Sequence, residues 1–193
     1  MINSAFGLIY TGENNPKMRD LTLSRAVAAL PFGGRYRCVD FILSDLVHSG
    51  VTSVGLIAQK NYHSLMDHLG AGKEWDLRRK REGLFILPPF LTKDSTGLYR
   101  GSVDAFRSCL GYMRRCPQQY VILSGSHTIF NTSFHEMFDR HVRTGADITI
   151  MYNEDAHFDP EDQNMDLRLT LDENGRVTAM ELDPYRPRTN FQS

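Results

Sequence analysis

Residues 21–50 read LTLSRAVAALPFGGRYRCVDFILSDLVHSG, and this stretch decides the fold class of the chain. Its second half predicts an amphipathic helix, because apolar side chains recur at positions i, i+3, i+4, i+7 and i+8. These side chains are Val39, Ile42, Leu43, Leu46 and Val47, and Gly50 follows them where helices commonly end. An almost continuously apolar run, Ala5 to Tyr10, precedes the stretch and predicts a buried parallel strand. A strand, a polar loop and a helix in this order are typical of an open α/β sheet.

A basic turn lies between the predicted strand and the predicted helix. Residues 31–35 read PFGGR, a rigid turn beside a flexible one, and Arg25 and Arg37 flank it. Ligands of open α/β sheets bind outside the carboxyl ends of the strands, and anions favour helix N-termini. The turn therefore indicates an anion site that uses Arg25, Arg35 and Arg37. The alternative is a connector whose arginines are only solvated, and the spacing alone does not separate the two interpretations.

The remainder of the chain continues the alternation of strand and helix patterns. Further strands are predicted at Ser53 to Ala58, Leu84 to Leu87, Tyr120 to Leu123, Asp147 to Tyr152, Leu167 to Leu171 and Val177 to Leu182. Further helices are predicted after a cap at Asn61, from Ser102 to Arg115, and from Phe134 to a stop at Gly145. Alternation of this kind predicts a doubly wound, mainly parallel sheet in one α/β domain spanning residues 1–193.

The composition excludes several classes of function. A formal net charge of −1 argues against a general nucleic-acid binder or a protein of anionic membrane surfaces. No run approaches the ~18 apolar residues that span a bilayer, and the first residues do not resemble a secretory signal. The three cysteines, Cys38, Cys109 and Cys116, are odd in number and lack metal-ligand spacing, which indicates reduced thiols and a cytoplasmic protein.

The opening stretch resembles the bacterial glucose-1-phosphate adenylyltransferase (ADP-glucose pyrophosphorylase) family. The matching pattern is LTxxRAxxAxPFGGxYRxxDFxLSxxxxSG, which is long enough to be specific, and it runs from Leu21 to Gly50. Further family segments are similar to Gln59 to Leu65, Leu98 to Ala105, Ile122 to His127 and Gly175 to Pro184. The resemblance implies a Rossmann-like nucleotidyltransferase domain. The left-handed β-helix that follows this domain in the family is not matched, so we expect an N-terminal catalytic-type domain alone.

The resemblance also implies a reaction, and the chain departs from the family where that reaction needs charge. The family joins ATP to glucose 1-phosphate, which requires a phosphate cradle, a divalent metal and cations for the sugar phosphate. The cradle is a GGxGxR loop in the family, whereas residues 11–17 here read TGENNPK, with one glycine. In that loop Glu13 adds negative charge and Pro16 has no N–H to donate. Lys17 stands where the family has its arginine.

The positions that the resemblance assigns to the metal and to two lysines are also changed. The family's SGDH run reads Ser124 to His127 here, so Ser126 replaces the carboxylate that a hard cation prefers. His127 is interpreted as a loop histidine and not as a substitute ligand. Val27 and Asp183 replace the two lysines, and Leu167 aligns with a family glycine near the sugar. We therefore expect no catalytic residue, no metal site and no cofactor, since losing one such electrostatic group costs on the order of 10²–10³ in rate.

Part of the binding surface is retained at the positions implied by the family. Tyr99 stands at the sugar-phosphate position, and Gln59 lies in the loop that the family uses for its response to activators. Together with Lys17 and the arginines of the basic turn they are the ligand-binding and regulatory candidates. Tyr99 can equally be a packed aromatic at the rim, and Gln59 an ordinary polar loop residue.

This combination of a retained surface and lost catalytic groups resembles the GlgD-type regulatory subunits of the family. The resemblance implies a hetero-oligomeric, tetrameric assembly with a catalytic GlgC-type subunit, a sugar-phosphate or nucleotide effector, and a role in glycogen biosynthesis. One alternative is an active nucleotidyltransferase with relocated groups, using Asp104 or Asp147 for metal and Lys17 for phosphate. Another is a stand-alone sugar-phosphate sensor that uses Arg35 and Arg37.

Overall fold

The computed structural model describes residues 2–12, 16–78, 82–89, 99–154, 167–182, 189 and 191–192. By internal packing the chain divides into two compact units, Met1–Glu136 and Met137–Ser193, and each is described by itself. Among the described residues, no helix has the length and apolar character needed to cross a bilayer.

The first unit holds a sheet with helices between its strands. Its elements in chain order are β1 (Ala5–Tyr10), the hairpin β2 (Pro31–Phe32) and β3 (Tyr36–Arg37), α1 (Cys38–His48), β4 (Ser53–Ile57), α2 (His63–Leu69), β5 (Gly83–Leu87), α3 (Ser102–Ser108), α4 (Leu110–Met113) and β6 (Tyr120–Ser124). The sheet order is β5-β4-β1-β6, and all three neighbouring pairs are parallel. The central strand β1 is buried along almost its whole length, as its continuous apolar run predicts.

Helices cover both faces of this sheet, which confirms the doubly wound architecture. Gly7 and Leu8 point to opposite faces because side chains alternate along a strand, and Gly55 pairs with Leu8 in register. A Cβ on Gly7 would lie 2.9 Å from a methyl group of Leu46 in α1. A Cβ on Gly55, on the other face, would lie 2.7 Å from the ring of Tyr112 in α4. The two glycines thus let helices approach β1 and β4 closely from opposite sides.

Helix α1 begins and ends where the pattern predicts. Its first turn is stabilised by Asp40, whose Oδ2 accepts the backbone N–H of Arg37 at 3.0 Å. The apolar face packs into the core, where Ile42, Leu43 and Leu46 are at most 1% exposed. Gly50, with φ of 88°, follows the last turn, a conformation that suits glycine.

The second unit contains most of helix α5 (His135–Thr144) and an antiparallel sheet. The strands are β7 (Asn153–Glu154), β8 (Leu167–Leu171), β9 (Val177–Leu182) and β10 (Phe191–Gln192), in the order β7-β10-β8-β9. In the turn between β8 and β9 the Asp172 carboxylate accepts the backbone N–H groups of Asn174 and Arg176. These bonds to the charged form lower the pKa of Asp172. The predicted two-strand segment with its turn is confirmed.

Three local predictions were wrong, and each has a physical reason. Asn61 does not cap α2, since it has φ of 52° and its side chain donates to the Leu23 carbonyl at 3.0 Å. The helix predicted from residue 102 to 115 is interrupted at Cys109, where the Ser108 hydroxyl turns back onto the Ala105 carbonyl. The strand predicted over 147–152 is not formed, and in the described chain pairing begins only at β7. Ile148 is 79% exposed, so burial does not favour a strand there.

Candidate functional site

A cleft of about 460 Å³ opens at the carboxyl ends of β1 and β4. This is the edge at which open parallel sheets bind ligands. Its lining comes from three loops and comprises Tyr10, Thr11, Gly12, Thr22, Arg25, Ala26, Val27, Gln59, Lys60, Asn61, Tyr99, Arg100 and Gly101. The structure therefore brings together three of the predicted ligand candidates, Arg25, Gln59 and Tyr99.

A chain of hydrogen bonds crosses the cleft. The Tyr10 hydroxyl donates to Oε1 of Gln59 at 3.0 Å, and Nε2 of Gln59 donates to the Tyr99 carbonyl at 3.0 Å. The chain links the end of β1, the loop after β4 and the segment before α3. Gln59 is thus fixed at both ends of its amide, which is more than an ordinary polar loop residue requires.

Tyr99 both lines the cleft and packs against the core. Its half-buried ring lies against a buried cluster that includes Phe6, Leu8 and Tyr112. Tyr99 therefore packs as a rim aromatic and also lines the cleft, and its contact with a ligand stays a prediction.

The charged side chains of the cleft are cationic. Arg25, Lys60 and Arg100 line it and are exposed, and no carboxylate belongs to its lining as far as the structure describes the chain. Asp104 lies in the first turn of α3, where its Oδ2 accepts the backbone N–H of Arg100 at 3.3 Å. An anionic ligand would meet attraction at this rim.

The other two arginines of the basic turn lie elsewhere. The Arg37 guanidinium donates through Nη1 to the Ser64 hydroxyl at 2.8 Å and also to the Ser64 carbonyl, so it ties the start of α1 to α2. Arg35 stacks over Tyr36 at 5.7 Å and lines a second cleft of about 500 Å³ with His68 and Trp75. The structure thus separates Arg25 from Arg35 and Arg37, which the sequence interpretation had grouped.

Comparison of the amino-acid sequence with known proteins shows the family to which the chain belongs. A profile describing nucleotidyl transferases matches residues 6–163. The chain belongs to the nucleotidyl transferase family. It is 42% identical over 153 residues to the glycogen biosynthesis protein GlgD of Bacillus subtilis (strain 168), covering 79% of this chain and 44% of that protein. It is 39% identical over 149 residues to the glycogen biosynthesis protein GlgD of Geobacillus stearothermophilus, covering 77% of this chain and 43% of that protein.

Relatives named as enzymes also match. The glucose-1-phosphate adenylyltransferase of Thermomicrobium roseum is 37% identical over 191 residues, which covers 96% of this chain and 43% of that protein. The chain spans less than half the length of each of these three relatives.

The positions that the resemblance to adenylyltransferases singled out can be placed in part. Val27 is 2% exposed and packs with Leu30 and Cys38 in a small apolar cluster. Ser126, after β6, is fully buried. Lys17 falls in a 3₁₀ segment, Pro16–Thr22, but its side chain lies outside the described residues, as does Asp183.

The metal chemistry of adenylyltransferases does not fit the described side chains. Ser126 offers a buried hydroxyl where a hydrated hard cation needs an accessible anionic oxygen. His127 is exposed beside it. The described residues contain no group of three or more histidine, cysteine or acidic side chains arranged to hold a metal. Asp104 and Asp147, each offered as a relocated metal ligand, lie in the units Met1–Glu136 and Met137–Ser193, respectively.

The cysteines do not form a nucleophilic site. All three are free, and burial raises the pKa values of Cys38, Cys109 and Cys116. Raised pKa values keep the thiols protonated and poorly nucleophilic. The redox state of the three thiols stays a prediction.

Sequence reasoning missed Tyr10, Lys60 and Arg100 as lining residues of the nucleotidyl transferase cleft. The signal for Tyr10 was present, because a tyrosine at the last position of a buried parallel strand places a hydroxyl at the ligand-binding edge. Lys60 and Arg100 are exposed loop cations, and only the tertiary fold brings them beside Arg25.

Proposed function

We propose that this chain is the nucleotidyltransferase-type domain of a GlgD-type regulatory subunit. It makes little or no ADP-glucose alone and modulates a catalytic glucose-1-phosphate adenylyltransferase subunit in glycogen biosynthesis. One observation carries the proposal. The cleft has a ligand-sized volume and a cationic rim, whereas Val27 in its lining and buried Ser126 after β6 stand where the resemblance to adenylyltransferases places a lysine and a metal carboxylate.

The chemistry of the transfer explains why these positions matter. Displacement of pyrophosphate from ATP builds negative charge on the phosphate oxygens, which an enzyme must offset with a metal and preorganised cations. Buried valine and serine side chains supply neither. Effects of such losses do not simply multiply, but any two of them leave little turnover.

The retained rim supports a regulatory role. Arg25, Lys60 and Arg100 suit an anionic effector such as a sugar phosphate or a nucleotide, and they require no resident metal or cofactor. The two relatives named as glycogen biosynthesis protein GlgD, at 42% and 39% identity, support a role in glycogen biosynthesis, where we propose that the domain acts beside a catalytic partner subunit. We propose that this partner is a GlgC-type subunit in a hetero-tetramer.

The stand-alone sensor is less well supported. It would use Arg35 and Arg37 together, but Arg37 is bonded to Ser64 and Arg35 lines a different cleft from Arg25. The active enzyme with relocated groups would use Asp104 or Asp147 for the metal, and Asp104 already accepts the Arg100 N–H through one carboxylate oxygen.

The test measures ADP-glucose synthesis with magnesium by the full-length protein alone, by its catalytic partner alone, and by the mixture. We expect no turnover above background from the protein alone, and a raised or effector-shifted rate in the mixture. An inert protein added to the catalytic subunit controls for non-specific stabilisation. Robust turnover by the protein alone would refute the proposal.

A further inference from the structure

We propose that Tyr10 determines the ligand specificity of the cleft. Its side chain keeps polyphosphates away from the backbone of Gly12. The inference rests on the proposed function, because it explains how a nucleotidyl transferase cleft can keep its shape and still reject the triphosphate of ATP. It is carried by the contacts around Gly12, the glycine that remains in the loop after β1.

Position 12 requires glycine because neighbouring side chains approach its backbone closely, and not because its backbone conformation is unusual. Its φ lies outside the left-handed region, so the backbone itself would accept a side chain. A Cβ there would lie 2.0 Å from Oε1 of Gln59 and 2.4 Å from the Tyr10 hydroxyl oxygen. Glycines in phosphate-binding loops leave room for the ligand to reach the backbone. At Gly12 that room is filled by the protein's own side chains.

The backbone donor beside Gly12 is also occupied. Thr11 donates both its N–H and its hydroxyl to the Ile57 carbonyl, at 3.1 and 2.9 Å. Thr11 is 2% exposed, so its polar groups are already satisfied inside the fold. A polyphosphate could take this N–H only by breaking the link between the ends of β1 and β4.

Tyr10 is held in place from two directions. Its ring packs edge-on against Phe106, with centroids 6.3 Å apart, and its hydroxyl donates to Gln59. Gln59 is in turn anchored to the Tyr99 carbonyl. Removing the Tyr10 ring and hydroxyl therefore empties one side of the space beside Gly12 and leaves the Gln59 amide held only by its bond to the Tyr99 carbonyl.

The test is equilibrium binding of ATP, with and without magnesium, to the purified full-length protein. Tyr10→Ala removes the ring and its hydroxyl, and we expect ATP to bind at least about tenfold more tightly than to the wild type. Tyr36→Ala is the matched control, since Tyr36 is a half-exposed tyrosine on the β2–β3 hairpin and not a lining residue of the cleft. Its ATP affinity should equal that of the wild type.

A second variant keeps the test informative if Tyr10→Ala fails to fold. Tyr10→Leu retains apolar contact with Phe106 but removes the ring end and hydroxyl beside Gly12, and it should also bind ATP more tightly. The inference is overturned if a folded Tyr10→Ala or Tyr10→Leu protein binds ATP no more tightly than the wild type.

The same variants separate this inference from the proposed function. Tyr10→Ala should bind ATP and still make no ADP-glucose alone, because Val27 and Ser126 are unchanged. Turnover by the wild type refutes the proposed function whatever ATP binding shows. An unchanged ATP affinity in the variants, with a silent wild type, overturns only the role of Tyr10.

Discussion

The imidazole Nε2 of His68 lies 2.7 Å from Oδ1 of Asp40, and this pair joins α2 to the first turn of α1. The second oxygen of the same carboxylate accepts the Arg37 N–H. Both groups are mostly buried, with side-chain exposures of 20% for His68 and 10% for Asp40. Asp40 thus stabilises the start of α1 and fixes its position relative to α2.

Replacing Asp40 should weaken the fold. Asp40→Ala removes both contacts and a carboxylate from a helix N-terminus, so we expect the free energy of unfolding to fall by about 1–2 kcal/mol. Urea unfolding of the wild type and the variant measures the loss. Asp67→Ala, an exposed carboxylate on α2, is the matched control and should change stability by less than about 0.5 kcal/mol. Equal losses in the two variants would contradict the role given to Asp40.

Restoring a lysine at position 27 should destabilise the protein without producing an enzyme. Val27 is 2% exposed and packs against Leu30 and Cys38, and it also lines the cleft. Val27→Lys loses this apolar packing and must turn its ammonium group into the cleft, at a cost of roughly 1–3 kcal/mol. Leu23→Lys places the same charge nearby at a residue that is 75% exposed, and it should be nearly neutral. Thermal unfolding and the ADP-glucose assay check both effects. A stable Val27→Lys protein would show that the pocket accepts a cation.

The fold was predictable from the sequence because its signals are local. Apolar residues recur with a period of 3.6 from Val39 to Val47 because one face of α1 is buried. The apolar run of β1 is continuous because both faces of that strand are buried. The predicted strand over 147–152 failed because, within the described ranges, the segment pairs with no other strand, and side-chain pattern alone does not make a ladder. Propensity alone could not reveal that.

The candidate site was less predictable because its contacts are distant in sequence. Tyr10 and Gln59 are 49 positions apart and meet only because β1 and β4 are parallel neighbours in register. The basic turn suggested that Arg25, Arg35 and Arg37 act together, but Arg37 is drawn to Ser64 on α2. The family resemblance indicated the candidate positions, whereas the contacts of each side chain became visible only in the tertiary fold.

Ser49 should contribute more to stability than a serine one turn earlier on the same helix. Its fully buried hydroxyl donates to the Asp45 carbonyl at 2.7 Å and accepts the Phe134 N–H at 2.9 Å. Ser49→Ala leaves that N–H unpaired, so we expect a loss of about 1–3 kcal/mol.

Ser44→Ala is the matched control for Ser49→Ala. Ser44 makes the same kind of bond, to the Asp40 carbonyl at 2.7 Å, but its half-buried hydroxyl accepts no backbone N–H from another segment that the structure describes. Its removal should cost less than about 0.5 kcal/mol. Urea unfolding distinguishes the two, and similar losses would contradict the importance of the Phe134 bond.

Asp45 should make the stability of the wild type depend on pH. Its side chain is 5% exposed, its Oδ2 finds no hydrogen-bond donor among the described residues, and burial raises its pKa above the ordinary value of 3.8. The Thr132 N–H and His48 oppose this rise in pKa without cancelling it. Between the unfolded and folded pKa values the folded state binds more protons, so the free energy of unfolding falls as pH rises through the folded pKa.

Asp45→Asn tests this dependence because the amide keeps an acceptor for the Thr132 N–H and never ionises. Below pH 3.8 the variant and the wild type should be similar in stability, and as pH rises to 7 the variant should become the more stable by up to about 1 kcal/mol. Urea unfolding at intervals from pH 3 to pH 8 measures the difference. Asp67→Asn, an exposed site, controls for the loss of one negative charge. A stability difference that does not change with pH, or a wild type that is more stable at neutral pH, would mean that the buried carboxylate is compensated by the surrounding fold.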